Sequence, residues 1–258
     1  MKKRVLSLPA CLSLSIAALF AYTNAHADTV LGLYAGAQAW QMNTTGGFSD
    51  DGNNLDFNFS DKTKSSFYVA LEHPIPLVPN VKLQRTNMDA QGDVVLSSQF
   101  VFGGELFTAT TTAVTDVKLS ATDVILYYEL FDNDLVSFDV GINAKYLDGE
   151  LFVVDKNDPT ASGREEFSGV VPMLYSRLAL GLPATGFGAY AEGSYLSFDD
   201  QTITDYQAGL TYSLMENLAI DLTFQLGYRA VQVELKDLDS IYSQLDFKGA
   251  FVGMDVHF

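Results

Sequence analysis

The stretch Val136-Ser-Phe-Asp-Val-Gly-Ile-Asn-Ala-Lys-Tyr146 alternates without a break. Val136, Phe138, Val140, Ile142, Ala144 and Tyr146 form an apolar set, and Ser137, Asp139, Gly141, Asn143 and Lys145 form a polar or small one. Successive side chains of an extended chain point to opposite faces, so this spacing gives a strand one oily face and one wet face. The pattern recurs at 218–229, where Leu218, Ile220, Leu222, Phe224, Leu226 and Tyr228 alternate with polar or small residues up to Arg229. It recurs again at 205–212 (Tyr206, Ala208, Leu210, Tyr212) and at 123–130 (Val124, Leu126, Tyr128, Leu130). Soluble sandwiches and lipocalin-like barrels alternate too, so the period alone leaves the surroundings of the sheet open.

The N-terminus narrows them. Lys2-Lys3-Arg4, an apolar run from Val5 to about Tyr22, and Ala25-His26-Ala27 form the tripartite pattern of a secretory signal peptide cut before Asp28. A membrane anchor fits less well, because Pro9 and several Ser and Thr residues interrupt the run. A lipoprotein reading of Leu8-Pro9-Ala10-Cys11 fails because the apolar run continues past Cys11. The expected units are therefore the leader, residues 1–27, and one mature domain, residues 28–258. Removing three basic residues and no acidic one takes the formal charge from −17 to −20, which argues against nucleic-acid phosphate as a partner. The only cysteine leaves with the leader, excluding disulfides and thiolate chemistry from the mature chain. The most nearly helical apolar stretch, 170–191, carries Pro172, Gly181, Pro183, Gly186 and Gly188, and its period is two.

Three features put the alternating strands in a membrane. The C-terminus, Phe251-Val-Gly-Met-Asp-Val-His-Phe258, resembles the signal that the assembly machinery of Gram-negative outer-membrane barrels reads on the last strand. Gly253, Val256 and Phe258 carry the resemblance, and Phe251 departs from it, since the pattern prefers a polar residue there. Aromatic residues recur at girdle spacing: Phe138 with Tyr146, and Phe187 with Tyr195, lie eight residues apart. Eight residues span about 26 Å of strand, or roughly 20 Å of height at a tilt of about 40°, close to the ~25 Å apolar band of such barrels. Tyr212 and Phe258 are expected to join one ring, and Tyr206 and Tyr228 the other. Finally, short turns at 131–134, 182–185 and 214–217 alternate with long polar stretches at 43–62, 88–115 and 148–165, the asymmetry of periplasmic turns and surface loops.

The expected fold is all-β, a transmembrane antiparallel up-and-down barrel. Ten strands fit, at 29–41, 63–72, 81–88, 116–131, 135–150, 166–181, 187–198, 202–213, 218–236 and 241–258. Eight or twelve remain open: 94–113 around Gly103-Gly104 reads as a hairpin above the membrane, and Arg85 on the face of Val81 and Leu83 makes 81–88 the weakest strand.

The blocks Glu72-His-Pro-Ile-Pro-Leu-Val-Pro-Asn80, Thr122-Asp-Val-Ile-Leu-Tyr-Tyr-Glu129, Ala144-Lys-Tyr-Leu-Asp-Gly149, Val171-Pro-Met-Leu-Tyr175 and Gly227-Tyr-Arg229, with the last strand, resemble a Gram-negative outer-membrane family of unassigned activity. It is the family that co-occurs with GlyGly-CTERM sorting systems. The resemblance implies an outer-membrane barrel and brings no catalytic residues.

The alternation assigns twelve charged residues to the lumen: the acids Glu72, Asp123, Glu129, Asp139, Glu192, Asp205, Asp221 and Asp255, and the bases Lys82, Lys145, Arg177 and Arg229. Enclosed charges must pair or stay wet. One reading is an ion-pair network that fills the barrel, leaving a structural, surface-exposed protein. The alternative is a narrow, porin-like conduit for small molecules or cations. Most of the remaining charge is expected in surface loops, and much of the apolar content against lipid, closing a barrel without a large soluble core. Catalysis is not expected: His73 lies in a Pro-rich turn and His257 is penultimate, neither beside a Ser/Asp pair. Asp50-Asp51, Glu165-Glu166 and Asp199-Asp200 lack the ligand spacing of a calcium loop. No cofactor is expected. The expected partners are outer-membrane lipid, lipopolysaccharide and the barrel-assembly machinery, with the chain a monomer. The turn 73–80 is expected to rest rigidly at the interface, with docking of a periplasmic protein through Ile75, Leu77 and Val78 as the sharper reading.

Overall fold

The computed structural model describes residues 31–133, 135–198, 201–215, 220–238 and 241–258. Residues 1–27, the expected leader with Cys11 and His26, and the pair Asp199-Asp200 lie outside them. In chain order the strands are β1 (Gly32–Ser49), β2 (Leu55–Asp56), β3 (Asn58–Phe59), β4 (Lys62–Glu72), β5 (Asn80–Asn87), β6 (Ala90–Val95), β7 (Phe100–Phe102), β8 (Glu105–Phe107), β9 (Thr112–Asp132), β10 (Val136–Asp155), β11 (Ser162–Gly181), β12 (Phe187–Phe198), β13 (Gln201–Met215), β14 (Asp221–Leu238) and β15 (Ile241–His257). Ten of them close a ring of antiparallel neighbours: β1, β4, β5 and β9 to β15. β15 pairs with β1 from Tyr34↔His257 to Ser49↔Tyr242, so the barrel has no free edge.

Both ends of the described chain meet at one rim, where Phe258 N donates to Leu33 O and Leu33 N to Phe258 O. The short connections after β4, β9 and β11 lie at this turn end. The other end, the loop end, carries the additional strands. β6 continues the sheet beside β9, and β7–β8 form a separate hairpin around Gly103-Gly104, the segment the sequence places outside the membrane.

The three long polar stretches are not chiefly loops. β1 runs on to Ser49, β9 begins at Thr112, and β10 and β11 stay paired out to Val154↔Ser162. The reason is a change of phase in the alternation. On β9 the inward residues are Asp123, Ile125 and Tyr127 toward the turn end, and Ala113, Val117, Leu119 and Ala121 toward the loop end. The outward residues switch the opposite way, from Val124, Leu126 and Tyr128 to Asp116, Lys118 and Ser120. Pairing to β10 continues through this point, with Ala121↔Leu147 beside Thr122↔Tyr146, so the chemistry inverts while the backbone runs straight on. β14 does the same above Arg229, with Val231, Val233 and Leu235 buried. So does β1, where Trp40 and Met42 turn inward and Gln41 and Asn43 outward.

The expectation that the barrel would close without a large enclosed core is thereby corrected. The loop-end half encloses a continuous core that includes Trp40, Met42, Phe48, Leu151, Val233, Leu245 and Phe247. The β7–β8 hairpin completes it: Phe102 and Phe107 are fully buried, and the Phe48 ring lies 5.0 Å from Phe102 and 5.1 Å from Phe57. Asp50 Oδ2 accepts from Gly103 N at 3.0 Å. Gly103 has φ 58, and a Cβ there would lie 2.4 Å from the backbone nitrogen of Arg164, so only glycine lets the hairpin sit this close to β11.

Candidate functional site

Below the core, the inward faces turn polar. Two clusters form, each centred on a largely enclosed carboxylate. Asp205, on β13, receives Arg229 in a two-pronged contact, Nε to Oδ1 at 3.0 Å and Nη2 to Oδ2 at 2.8 Å. Lys145 Nζ bridges Asp205 Oδ2 at 2.9 Å and Asp123 Oδ1 at 2.7 Å. Asn143 Nδ2 donates to Asp123 Oδ1 at 2.6 Å and to Ser194 Oγ at 3.1 Å. The Arg229 guanidinium also lies over the Trp40 ring at 5.4 Å, so one residue touches both halves of the lumen.

Nearer the turn end, Glu192 on β12 is the second centre. Lys82 Nζ donates to both its oxygens at 3.0 and 3.1 Å, Gln207 Nε2 to Oε1 at 2.9 Å, and Tyr175 OH to Oε2 at 3.3 Å. Arg177 lies between Glu192 and Asp139, 3.7 Å from each. Charges enclosed in a barrel cost several kcal/mol each if unpaired, and these contacts offset that cost.

Of the remaining four charged residues, Glu72 and Glu129 line an inner cavity, Asp221 its mouth, and Asp255 both. Glu72 accepts from Tyr127 OH at 2.7 Å, and Glu129 from Asn80 Nδ2 at 3.4 Å. Asp255 accepts from Gln225 Nε2. Asp221 lies 3.5 Å from His257 Nδ1, and His257 stacks on Tyr34 with ring centroids 4.1 Å apart. These residues border two adjoining cavities, an inner one of about 300 Å³ and a mouth of about 860 Å³, which share Tyr34, Tyr68, Arg177 and Tyr190.

Counting charges alone missed the neutral members. Gln38, Asn143, Tyr175, Tyr190, Gln207 and Gln225 connect the carboxylates, and Tyr190 OH donates to Gln225 Oε1 at 3.0 Å. Their signal was available, since each falls on the inward phase of its strand.

The girdle residues sit outside. Tyr146, Phe187, Tyr195, Tyr206, Tyr212, Tyr228 and Phe258 are exposed, with Phe138 partly so. Phe187 and Tyr212 face each other across β12 and β13 at 4.7 Å. Arg85 also lies outside, level by pairing with Thr122, and its nitrogens donate upward to Thr122 Oγ1 at 2.5 Å and Ser120 Oγ at 2.7 Å. Its stem thus crosses the apolar belt while its head joins the polar exterior. On the last strand Val252, Met254 and Phe258 point outward, and Gly253 is inside, where a Cβ would meet Gln38 Cγ at 2.9 Å. Phe251, the departure from the terminal pattern, is buried in the core.

No protein-family model matches the chain, and no curated protein matches it, so the family resemblance rests on the quoted blocks. Among solved structures, the transport unit of the autotransporter AIDA-I from Escherichia coli is similar at 8% identity over 95% of each chain, with a TM-score of 0.41. The Pseudomonas putida toluene transporter TodX matches at 8% identity over 88% of this chain and 89% of that one, TM-score 0.33. A Pseudomonas aeruginosa FadL homologue matches at 9% identity over 88% and 89%, TM-score 0.33. At such scores the likenesses carry no argument about cargo, and the barrel is read from its own pairing.

Proposed function

We propose that the protein is a non-catalytic outer-membrane barrel, structural and surface-exposed, whose lumen is shut toward the cell exterior. The turn end faces the periplasm, the apolar belt between Phe187 and Tyr195 meets lipid, and the polar-skinned, dry-cored half stands among lipopolysaccharide and above it. Export by residues 1–27, and assembly through a terminal strand carrying Gly253, Val256 and Phe258, belong to this reading. So does membership of the outer-membrane family that co-occurs with GlyGly-CTERM systems, supported by the blocks from Glu72 to Arg229. The observation that carries the proposal is the core of Trp40, Met42, Phe48, Phe102, Phe107 and Phe247, which fills the outer lumen with side chains almost without exposure. An ion crossing it would lose its hydration without replacement ligands.

Planar-bilayer recording of the refolded barrel tests this. Electrical silence is expected. Discrete cation-favouring steps would overturn the closed lumen and establish the conduit.

A further inference from the structure

The connection between β4 and β5, His73-Pro-Ile-Pro-Leu-Val-Pro79, presents its apolar side chains away from the protein. Leu77 is 92% exposed, and Ile75 and Val78 are exposed beside it. Leu77 also holds φ 65, a left-handed conformation that its Cβ disfavours and that glycine adopts readily. Neither turn-end cavity is lined by any residue from 73 to 79, so the turn stands clear of the lumen mouth. It folds to the outside instead: Tyr128 OH donates to Leu77 O at 2.9 Å. Tyr128 is an outward residue of β9, paired with Val140 of β10. Its hydroxyl ties the tip of the turn to the apolar belt, where Leu71, Leu83 and Leu130 are exposed on β4, β5 and β9.

A second observation concerns the backbone. Pro74, Pro76 and Pro79 carry no N–H. The N–H of His73 donates to Asn80 Oδ1 at 3.1 Å, that of Ile75 to His73 Nδ1 at 3.3 Å and that of Val78 to Ile75 O at 3.4 Å. His73 Nε2 lies 3.2 Å from Pro79 O, so the neutral ring protonated at Nε2 makes both contacts at once. Three residues of the turn thus lack the donor and three have used it. Water would satisfy free donors by itself. Hydrocarbon cannot, and a segment at its boundary must bring its own partners. From His73 to Val81 the sequence also has no carboxylate, ammonium or guanidinium. An uncharged, proline-stiffened tip, continuous with the belt, suits lipid. A protein could reach it only by displacing lipid from the strands beside it.

We propose that Ile75, Leu77 and Val78 insert into the bilayer leaflet at the turn end, where headgroups meet acyl chains, as a wedge latched by Tyr128. Burying the Leu77 side chain in lipid offsets the cost of its left-handed backbone, which exposure to water would leave uncompensated. The inference rests on the reading that the belt meets lipid, and is independent of whether the lumen is closed.

The test places single spin-labelled cysteines in residues 28–258, which have none of their own, refolded into dilauroyl phosphatidylcholine vesicles. Leu77→Cys is compared with Leu174→Cys, exposed in the belt, and Asn157→Cys, exposed in the loop after β10. Collision with oxygen, which partitions into lipid, is measured against collision with a water-soluble nickel chelate. The oxygen-to-nickel ratio at Leu77 is expected well above that at Asn157 and approaching that at Leu174. Adding Tyr128→Phe removes the latch and should lower the ratio at Leu77 while leaving Leu174 unchanged. Retention of the folded band on unheated gels reports the fold of each variant. A ratio at Leu77 equal to that at Asn157, with Leu174 in lipid, would overturn the proposal and leave the tip for a periplasmic protein. Dipolar broadening of the Leu77 label would assign the tip to a second copy and overturn it equally. A water-like ratio at Leu174 as well would overturn the lipid belt itself. An unmoved ratio in the folded Tyr128→Phe chain would overturn the latch.

Discussion

On β9, the inward neighbour of Thr122 toward the turn end is Asp123 and the one toward the loop end is Ala121; on β14, Arg229 is followed inward by Val231. One barrel wall thus encloses two interiors. In the turn-end half ion pairs and amides fill the lumen partly, and apolar residues coat the outside. In the loop-end half phenylalanines and aliphatics dominate the interior, with Thr44, Ser49, Thr115 and Ser243 buried among them, and Lys118, Asp148 and Glu150 stand outside. The difference teaches what each half leans on. The loop-end half has the logic of a soluble domain, with apolar burial driving it. The turn-end half needs an apolar solvent around it, and its interior is held by paired charges whose net worth is small but whose disruption is costly.

Single substitutions sharpen that contrast. The largest effect is expected for Phe247→Ala, which empties a site with no exposure; it should cost about 4 kcal/mol, read as a fall in the urea midpoint of the refolded barrel. Second comes Asp205→Ala, at about 3 kcal/mol, because Arg229 loses its two-pronged partner and Lys145 one of its two acids. Combining Asp205→Leu with Arg229→Met should recover much of that loss. No recovery in the pair would mean that the polar half needs its charges for more than mutual neutralisation. Tyr127→Phe removes the donor to Glu72 and should cost about 2 kcal/mol by the same measurement. Lys118→Ala should move the midpoint least, since its contact with Glu150 lies in open water; a shift as large as that of Tyr127→Phe would contradict the solvated exterior assigned to this half.

The part of the molecule legible in sequence is the part that alternates in one phase. The strand at 136–146 and its neighbours follow from period two; the outward aromatics and a count near ten needed the aromatic spacing, the terminal strand and the turn asymmetry besides. The loop-end half escaped because the phase inverts. Read with Val124 and Leu126 as the guide, Lys118 and Asp116 occupy the oily face, and the strand expected from 116 has no reason to continue back to Thr112. Read from Val117 and Leu119, they are the wet face of the same strand. Apolar residues at Leu147, Leu151 and Val153, offset by one from Ile142, Ala144 and Tyr146, carry the same signal on β10. The hairpin from Phe100 to Phe107 was placed outside the membrane, but its aromatic residues gave no hint that they fold back into the barrel. That depends on Phe48 and Phe57, more than forty residues away in sequence, and on the glycine at 103. In the polar half the charged residues were readable, while the tyrosines and glutamines between them passed for ordinary strand residues.

Side-specific thiol labelling tests the two-interior account most directly, in residues 28–258, which contain no cysteine. Ala179→Cys borders both turn-end cavities, and Val233→Cys lies in the dry core at 1% exposure. With the barrel in vesicles of known orientation and a membrane-impermeant maleimide, Ala179→Cys should react from the turn-end side only. Val233→Cys should react from neither side until the protein is unfolded. Labelling of Val233→Cys in the folded barrel, or of Ala179→Cys from the loop-end side, would contradict a lumen open at one end and sealed at the other.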